Sequence, residues 1–197
     1  MEKMPEEEKR QWLQFKDGDR GAFAAIYEKH ILHLIAYGLK VCPDRDLLKD
    51  QIQELFVELW HSRKNLSPTE SVKFYLFKAL RYKLIRLEKN RYFRDHTARA
   101  AMDLNSMLQD SVETNIIENE VYASQLISLR QAIRALSLRQ QEIIQLRYYQ
   151  GFSNEQIAEL MDLNYQSVSN LLHRSLLRLK RIVKMPVFHL LLLWLFR

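Results

Sequence analysis

Residues 71–94 combine positively charged and aromatic side chains in a pattern suited to binding a polyanion. The segment contains eight Lys or Arg residues, and Glu88 is its single acid. Cations bind phosphates, while flat aromatic rings stack on unpaired bases or wedge into a base step. The pattern predicts a nucleic-acid-binding helix in which Tyr82 and Tyr92 are exposed. Its predicted core residues are Phe74, Phe77, Leu80, Leu84 and Leu87.

A second basic helix is predicted near the C-terminus, and residues 167–184 contain no acid. Its expected inner stripe is Val168, Leu172, Ser175 and Leu179. Short polar side chains near its start can contact base edges, and later cations can neutralise phosphates. We expect the DNA-contacting residues to be Ser167, Ser169, Asn170, His173, Arg174 and Arg178. A solvated basic helix is the plainer interpretation of such a face when it occurs alone.

Local signals around this helix predict a helix-turn-helix. A first helix is expected over about 121–135. The spacing of Ser137 to Gln140 and of Ser153 to Gln156 is that of a capping box, which begins a helix. Gly151 is a predicted C-terminal stop, and Asn164 is a predicted N-cap for the last helix. These elements favour DNA binding over a merely solvated helix.

An acidic helix is predicted from Asp44 to about Arg63. Its expected buried stripe is Leu48, Ile52, Leu55, Phe56 and Leu59. At 100° per residue, the opposite face carries Asp50, Glu54 and Val57, flanked by Gln53 and Trp60. Exposed Val and Trp side chains beside carboxylates indicate a protein-docking surface.

The composition places these helices in an all-α protein. Only four Gly and four Pro occur in 197 residues, and apolar residues recur at helical spacing. The net charge of +6 favours a polyanionic partner. Residues 96–118 are acidic and rich in turn formers, so we expect a flexible linker between two small helical domains, 1–95 and 119–185.

The chain is expected to be cytoplasmic. Its N-terminus has no apolar signal segment, and the single cysteine, Cys42, allows no intrachain disulfide. The longest apolar run, 187–196, is too short for a membrane span, which needs about 20 residues. We expect Cys42 to be a small core residue. The tail 186–197 is expected to cover apolar surface on its own chain or on a partner.

Two motifs in this order resemble a known family. DQIQELFVELW (50–60) resembles the polymerase-binding helix of bacterial sigma factors. The stretch LSLRQQEIIQLRYYQGFSNEQIAELMDLNYQSVSNLLHRSLLRLK (136–180) is similar to their C-terminal promoter-binding helix-turn-helix. Together they resemble the extracytoplasmic-function (ECF) group of the sigma-70 family, over roughly residues 20–185.

The resemblance implies three functional surfaces and three partners, namely core RNA polymerase, promoter DNA and an anti-sigma factor. The polymerase-binding residues would be Asp50, Gln53, Glu54, Phe56, Val57 and Trp60. The loop 62–70, with Lys64 and Asn65, would hold a flipped base of the −10 element. The other −10 residues would be Lys78, Arg81, Tyr82, Lys83, Arg86, Lys89 and Arg91. Residues 165–178 would bind the −35 element, and the linker would thread toward the RNA exit path.

The chain departs from the family pattern at four positions. Tyr82 and Arg86 stand where the family often has Asn and Asp, and Leu171 stands where it often has Arg. Asp162 occupies a turn position that is often Gly. These differences bear on which promoter sequence is recognised, and Leu171 is expected to contact a thymine methyl group.

Other function classes find less support. No phosphate-binding glycine loop or nucleophile motif occurs, so we expect no enzyme activity, cofactor or small-molecule substrate. His30 and His33 are three residues apart but lack companion ligands, so no metal site is expected. A helix-turn-helix regulator that acts without polymerase remains the alternative, although this function does not account for the predicted docking surface of residues 50–60. A protein-only adaptor is disfavoured by the two basic helices.

Overall fold

A computed structural model describes residues 4–67, 69–95 and 129–182. The chain divides into two compact units, Met1–Met102 and Asp103–Arg197, and each is considered by itself. All regular secondary structure in the described ranges is helical, which confirms the all-α prediction. The predicted linker 96–118 and the tail 186–197 lie outside those ranges.

The first unit contains four α-helices among its described residues. They are α1 (Glu6–Asp17), α2 (Arg20–Val41), α3 (Arg45–Ser62) and α4 (Val72–Asp95), with a 3₁₀ turn at Arg63–Asn65 after α3. Side chains cap two of these helices, since Asp19 accepts from the Ala22 amide and Asp44 from the Leu47 amide, at 2.9 and 3.1 Å. The predicted start of the acidic helix is therefore confirmed.

The core of the first unit lies where α2, α3 and α4 meet. Phe15, Leu34, Tyr37 and Leu76 are fully buried, and the Tyr37 ring lies 5.0 Å from that of Phe77. The five predicted stripe residues of α3 are all buried, as is Cys42. On α4, Phe77, Leu80 and Leu84 are buried as expected, whereas Phe74 and Leu87 are half-buried.

Helices α2 and α3 approach closely at Gly38. A Cβ at this position would clash with the Leu48 side chain. The buried surface of α2 therefore includes a position without a side chain, which allows α3 to lie against its backbone.

The second unit contains the helix-turn-helix. Residues 129–134 are helical. They precede α5 (Leu138–Ile144), a π-helical turn at Gln145–Tyr149, α6 (Asn154–Met161) and α7 (Tyr165–Ile182). Both predicted capping boxes are present, and the Asn164 side chain accepts from the Ser167 amide at 2.7 Å. The part of the predicted helix 121–135 that precedes residue 129 lies outside the described ranges.

The π-helical turn changes which residues of the second unit are buried. Regular helical spacing predicts that Tyr148 faces the core with Ile143, Ile144 and Leu146, but Tyr148 is half-buried, and Gln145 is buried. A π turn inserts extra backbone per turn and so rotates the residues that follow it. The chain then leaves the helix through Gly151, at φ 71°, a conformation that favours glycine.

Candidate protein-binding and nucleic-acid-binding surfaces

Four predicted docking residues share one surface of α3. Asp50, Gln53, Glu54 and Val57 line a shallow depression, which we call the docking face. Val57 is 48% exposed, so an apolar side chain lies among polar and acidic ones. Such a surface suits a partner with both apolar and cationic groups.

The other two predicted docking residues do not lie on this surface. Phe56 is only 4% exposed, and its ring packs against Tyr27 at 4.8 Å and Phe23 at 6.1 Å. Trp60 is half-buried against Phe23, with ring centroids 5.1 Å apart. The expectation that Trp60 is exposed is therefore wrong, because α1 and α2 supply aromatic neighbours that helix periodicity alone does not reveal.

The loop after α3 is anchored to the first unit by contacts of two side chains, Arg63 and Lys16. The guanidinium carbon of Arg63 lies 4.4 Å from the Trp60 ring centroid, and Arg63 donates to the Trp60 carbonyl at 2.7 Å. The Lys16 ammonium on α1 donates to the Leu66 carbonyl at 2.8 Å. Lys64 and Asn65 remain exposed between these anchors. No sequence pattern pointed to Lys16, because its partner lies 50 residues away.

Helix α4 presents both cationic and aromatic side chains to solvent. Lys78 and Arg86 are exposed, Arg81 is half-buried, and Tyr82 is 69% exposed as predicted. The side chains of Lys89, Arg91 and Tyr92 lie outside the described part of α4. The exposed cations can bind phosphate, and the exposed Tyr82 ring can stack on a base.

Lys83 occupies a different position from the other predicted −10 residues. Its ammonium lies 2.7 Å from Glu58 Oε1 and 3.5 Å from Glu54 Oε2, and its side chain is 14% exposed. We predicted a DNA contact for Lys83, but this structure directs the residue toward α3. The long flexible stem of lysine allows this, because it can lie along one surface while its ammonium reaches another.

The outer face of α7 carries most of the predicted −35 residues. Asn170, His173, Arg174 and Arg178 are exposed, and all four predicted inner-stripe residues are buried. Ser167 and Ser169 are half-buried, and the Asn154 amide lies 3.5 Å from the Ser169 hydroxyl. Ser169 is therefore directed partly toward α6. Leu171 is also half-buried rather than fully on the outer face.

Two exposed residues at the start of α7 lie in the predicted range 165–178 but were not among the individual DNA contacts that the sequence predicted. Tyr165 is 52% exposed, and the exposed Gln166 donates from Nε2 to Asn170 Oδ1 at 3.2 Å. Arg174 in turn donates from Nε to the Asn170 carbonyl at 3.3 Å. Gln166 is one helical turn before Asn170, so the 3.6-residue period could have found it.

The turn between α6 and α7 depends on Asp162. This residue has φ 53° and is the one non-glycine residue with a positive φ in the described ranges. Its side chain is exposed, and its amide donates toward the Glu159 carbonyl at 3.5 Å. Asp adopts this region more readily than most L residues, which explains why glycine is not required here.

Comparison with known proteins shows which proteins this chain resembles. Residues 126–179 match the model of sigma-70, region 4. RNA polymerase sigma factor YlaC of Bacillus subtilis is 24% identical over 82% of this chain and 92% of its own length. ECF RNA polymerase sigma factor SigL of Mycobacterium tuberculosis is 25% identical over 79% of this chain and 85% of its own length. The chain is therefore similar to ECF sigma factors over about four fifths of its length, and its residues 126–179 match region 4 of the sigma-70 family.

Two solved structures resemble the fold of this protein. The sigma factor RpoE of Bartonella quintana, solved with the anti-sigma factor NepR, has a TM-score of 0.62 at 18% identity and matches 81% of this chain and 96% of its own. CnrH, solved with the cytosolic domain of CnrY, has a TM-score of 0.57 at 17% identity. The match covers 90% of this chain and 97% of the CnrH chain. These likenesses support the all-α fold.

The histidine pair of this protein, His30 and His33, does not form a common ligand set. His30 is 3% exposed and His33 is exposed. Burial, and after it the nearby Lys29 charge, lowers the pKa of His30 from 6.5 to about 4. In the described ranges, no cluster of three or more potential metal ligands occurs. Nor does any helix there have the length and apolar character needed to cross a bilayer.

Proposed function

We propose that this protein is an ECF-type sigma factor, which binds core RNA polymerase through the docking face and directs it to promoters that α4 and α7 recognise. The observation that carries the proposal is the docking face itself, an acidic depression on α3 in a chain that also has a helix-turn-helix. A helix-turn-helix regulator acting without polymerase would use α7 but would have no need of this face. The sigma-factor function is therefore favoured over that alternative.

Each unit has its own proposed role. We assign polymerase binding and −10 recognition to residues 1–95, and −35 recognition to residues 119–185. The exposed side chains proposed to meet the −10 element are Lys64, Asn65, Lys78, Tyr82 and Arg86. Arg81 is half-buried and would contribute from the edge of that surface. For Lys89 and Arg91, the proposed contact with the −10 element rests on the sequence pattern alone.

The proposed −35 contacts come from the outer face of α7. Asn170, His173 and Arg174 would contact base edges, with Gln166 added from the structure. Arg178 lies a turn later and would bind phosphate. Ser167 and Ser169 would contact DNA only through their exposed portions, since both side chains are half-buried.

Charge reversal on the docking face tests the polymerase-binding role. The double variant Asp50→Lys/Glu54→Lys should bind core polymerase at least tenfold more weakly, because it replaces two carboxylates with cations where a cationic partner is expected. Its binding to a −35 duplex should be unchanged. The matched control is Glu6→Lys/Glu28→Lys, which changes the net charge equally at two exposed positions outside α3. Equal core affinity for both double variants would contradict the assignment.

The function as a whole is tested by run-off transcription. Core polymerase alone and core polymerase with this protein are compared on a library of promoter sequences. The protein should produce discrete transcripts from a sequence-related subset. A protein that binds DNA but yields no transcript above core alone would support the regulator without polymerase docking.

Three further properties follow from the same assignment. The solved RpoE relative is bound to an anti-sigma factor, and we infer that this sigma factor also has an inhibitory protein partner. It acts in the cytoplasm, where transcription takes place in bacteria. Its role is to position polymerase and DNA, so we propose that it catalyses no reaction itself and needs no cofactor.

A further inference from the structure

Lys83 connects the two helices that carry the proposed polymerase and −10 surfaces. It lies on α4, and both of its carboxylate partners, Glu54 and Glu58, lie on α3. The Lys83 side chain is largely buried, whereas those two side chains are about half exposed, at 51% and 57%. One cation therefore compensates part of the negative charge along the surface of α3.

The two contacts of Lys83 differ in length and in location. The ammonium lies 2.7 Å from Glu58, which is outside the docking face, and 3.5 Å from Glu54, which lines it. Coulombic attraction weakens with distance and with exposure to water. The ion pair with Glu58 is thus the stronger of the two, and the pair with Glu54 is the one that an incoming cation can replace.

We propose that Lys83 is an internal counter-ion of the docking face, pairing with Glu54 in the free protein and yielding that carboxylate to a cationic group of the bound partner. The inference rests on the proposed role of the docking face. Because Lys83 keeps its pair with Glu58 during this exchange, its ammonium stays against α3 and is not released to DNA. The free docking face is consequently less acidic than its sequence suggests.

The position of Lys83 argues against a direct DNA contact. A DNA phosphate would have to draw the ammonium away from two carboxylates, while Arg86 on the same helix is already exposed. An exposed cation can meet phosphate at a lower desolvation cost than a largely buried one. Lys83 therefore differs in role from its neighbours on α4.

The test measures how tightly full-length protein binds core polymerase at low and at high salt. Lys83→Met retains much of the apolar stem and removes the charge. It should tighten core binding by on the order of two- to fivefold at low salt, as expected for the loss of one partly exposed ion-pair competitor. The gain should shrink at high salt, because ions screen exposed charges. It should also disappear when Glu54→Gln is present in both proteins.

Controls separate this effect from a change in net charge or in folding. Lys29→Met removes a comparable Lys–Glu pair, in which Lys29 lies 2.8 Å from Glu8 on α1, and should leave core binding unchanged. Lys83→Gln, a second charge-removing variant, should repeat the result of Lys83→Met, and melting curves identify any variant that is not folded.

Unchanged or weaker core binding by both folded Lys83 variants would overturn the inference. A loss confined to −10 DNA binding would overturn it as well, and would instead support a direct DNA contact by Lys83. If the wild-type protein did not bind core polymerase at all, the proposed function would fail instead.

Discussion

His30 is a titratable group buried on α2 in positively charged surroundings. Lys29 and Lys73 both disfavour its protonation, and Glu8 only partly offsets them. The folded-state pKa of about 4 is below the ordinary value of 6.5, so the unfolded chain binds this proton first as the pH falls. The resulting contribution favours the folded state most above pH 6.5 and decreases as the pH falls toward about 4.

We therefore expect the first unit to lose stability on acidification through His30. A depression from 6.5 to about 4 corresponds to roughly 3 kcal/mol of unfolding free energy, at about 1.4 kcal/mol per pKa unit. Urea denaturation at pH 7 and pH 4.5 measures the loss. His30→Gln should reduce this pH dependence, whereas His61→Gln, at an exposed position on α3, should retain it. The same pH dependence in both variants would show that other groups cause it.

Asp162 is a second residue whose conformation has a measurable consequence. It ends α6 with φ 53°, and its negative charge lies near the negative end of the helix dipole. Asp162→Asn keeps a residue that tolerates this conformation and removes the charge, so it should stabilise the second unit by about 0.3–1 kcal/mol. Asp162→Ala should destabilise it by about 1 kcal/mol. Thermal melting compares the two, and a stabilising Ala substitution would contradict the argument.

At the scale of the element, the proposed function divides α7 into a base-contacting start and a phosphate-contacting end. Arg174→Ala should cost about 1–3 kcal/mol on the preferred promoter and reduce discrimination between promoters. Arg178→Ala should weaken binding to all sequences alike. It should also make the slope of log binding constant against log salt concentration shallower by about one unit. Anisotropy titrations on matched and scrambled −35 duplexes measure both effects. Equal losses on the two duplexes for Arg174→Ala would refute base contact at that position.

The elements themselves were largely predictable, because their signals are local. The capping boxes of α5 and α6 and the N-caps of α3 and α7 each span three residues, and the buried stripes of α3 and α7 follow helical spacing. The π-helical turn was not predicted, since nothing in its sequence indicates the extra backbone. It exchanged Gln145 for Tyr148 in the core.

Contacts between distant residues account for the errors in the candidate site. Lys83 and Glu58 are 25 residues apart, and Lys16 and Leu66 are 50 apart. Helical periodicity assigns a residue to a face of its own helix but does not say which neighbouring side chain will reach it. For this reason Lys83 was assigned to DNA, and Trp60 was assigned to solvent.

At the scale of the whole molecule, the tail 186–197 is the segment whose role still depends on sequence alone. Its apolar side chains would be costly to leave in water, at about 25 cal/mol for each Å² exposed. We expect deletion of 187–197 to lower the melting temperature or to abolish inhibition by an anti-sigma partner, while promoter selectivity is retained. Differential scanning fluorimetry and an inhibition assay measure these outcomes. A truncated protein as stable and as well inhibited as the full chain would contradict the expectation.

The anchoring of the first unit has a consequence for the order of events during synthesis. Its described side-chain contacts, from Lys16 to Leu66 and from Lys83 to Glu58, are made by residues that precede the linker. Domains generally fold as units from the N-terminus while the ribosome adds about 5–20 residues each second. The docking face can therefore assemble on a nascent chain seconds before α7 has been translated. During that interval the chain would have a surface for polymerase but no means of selecting a −35 element.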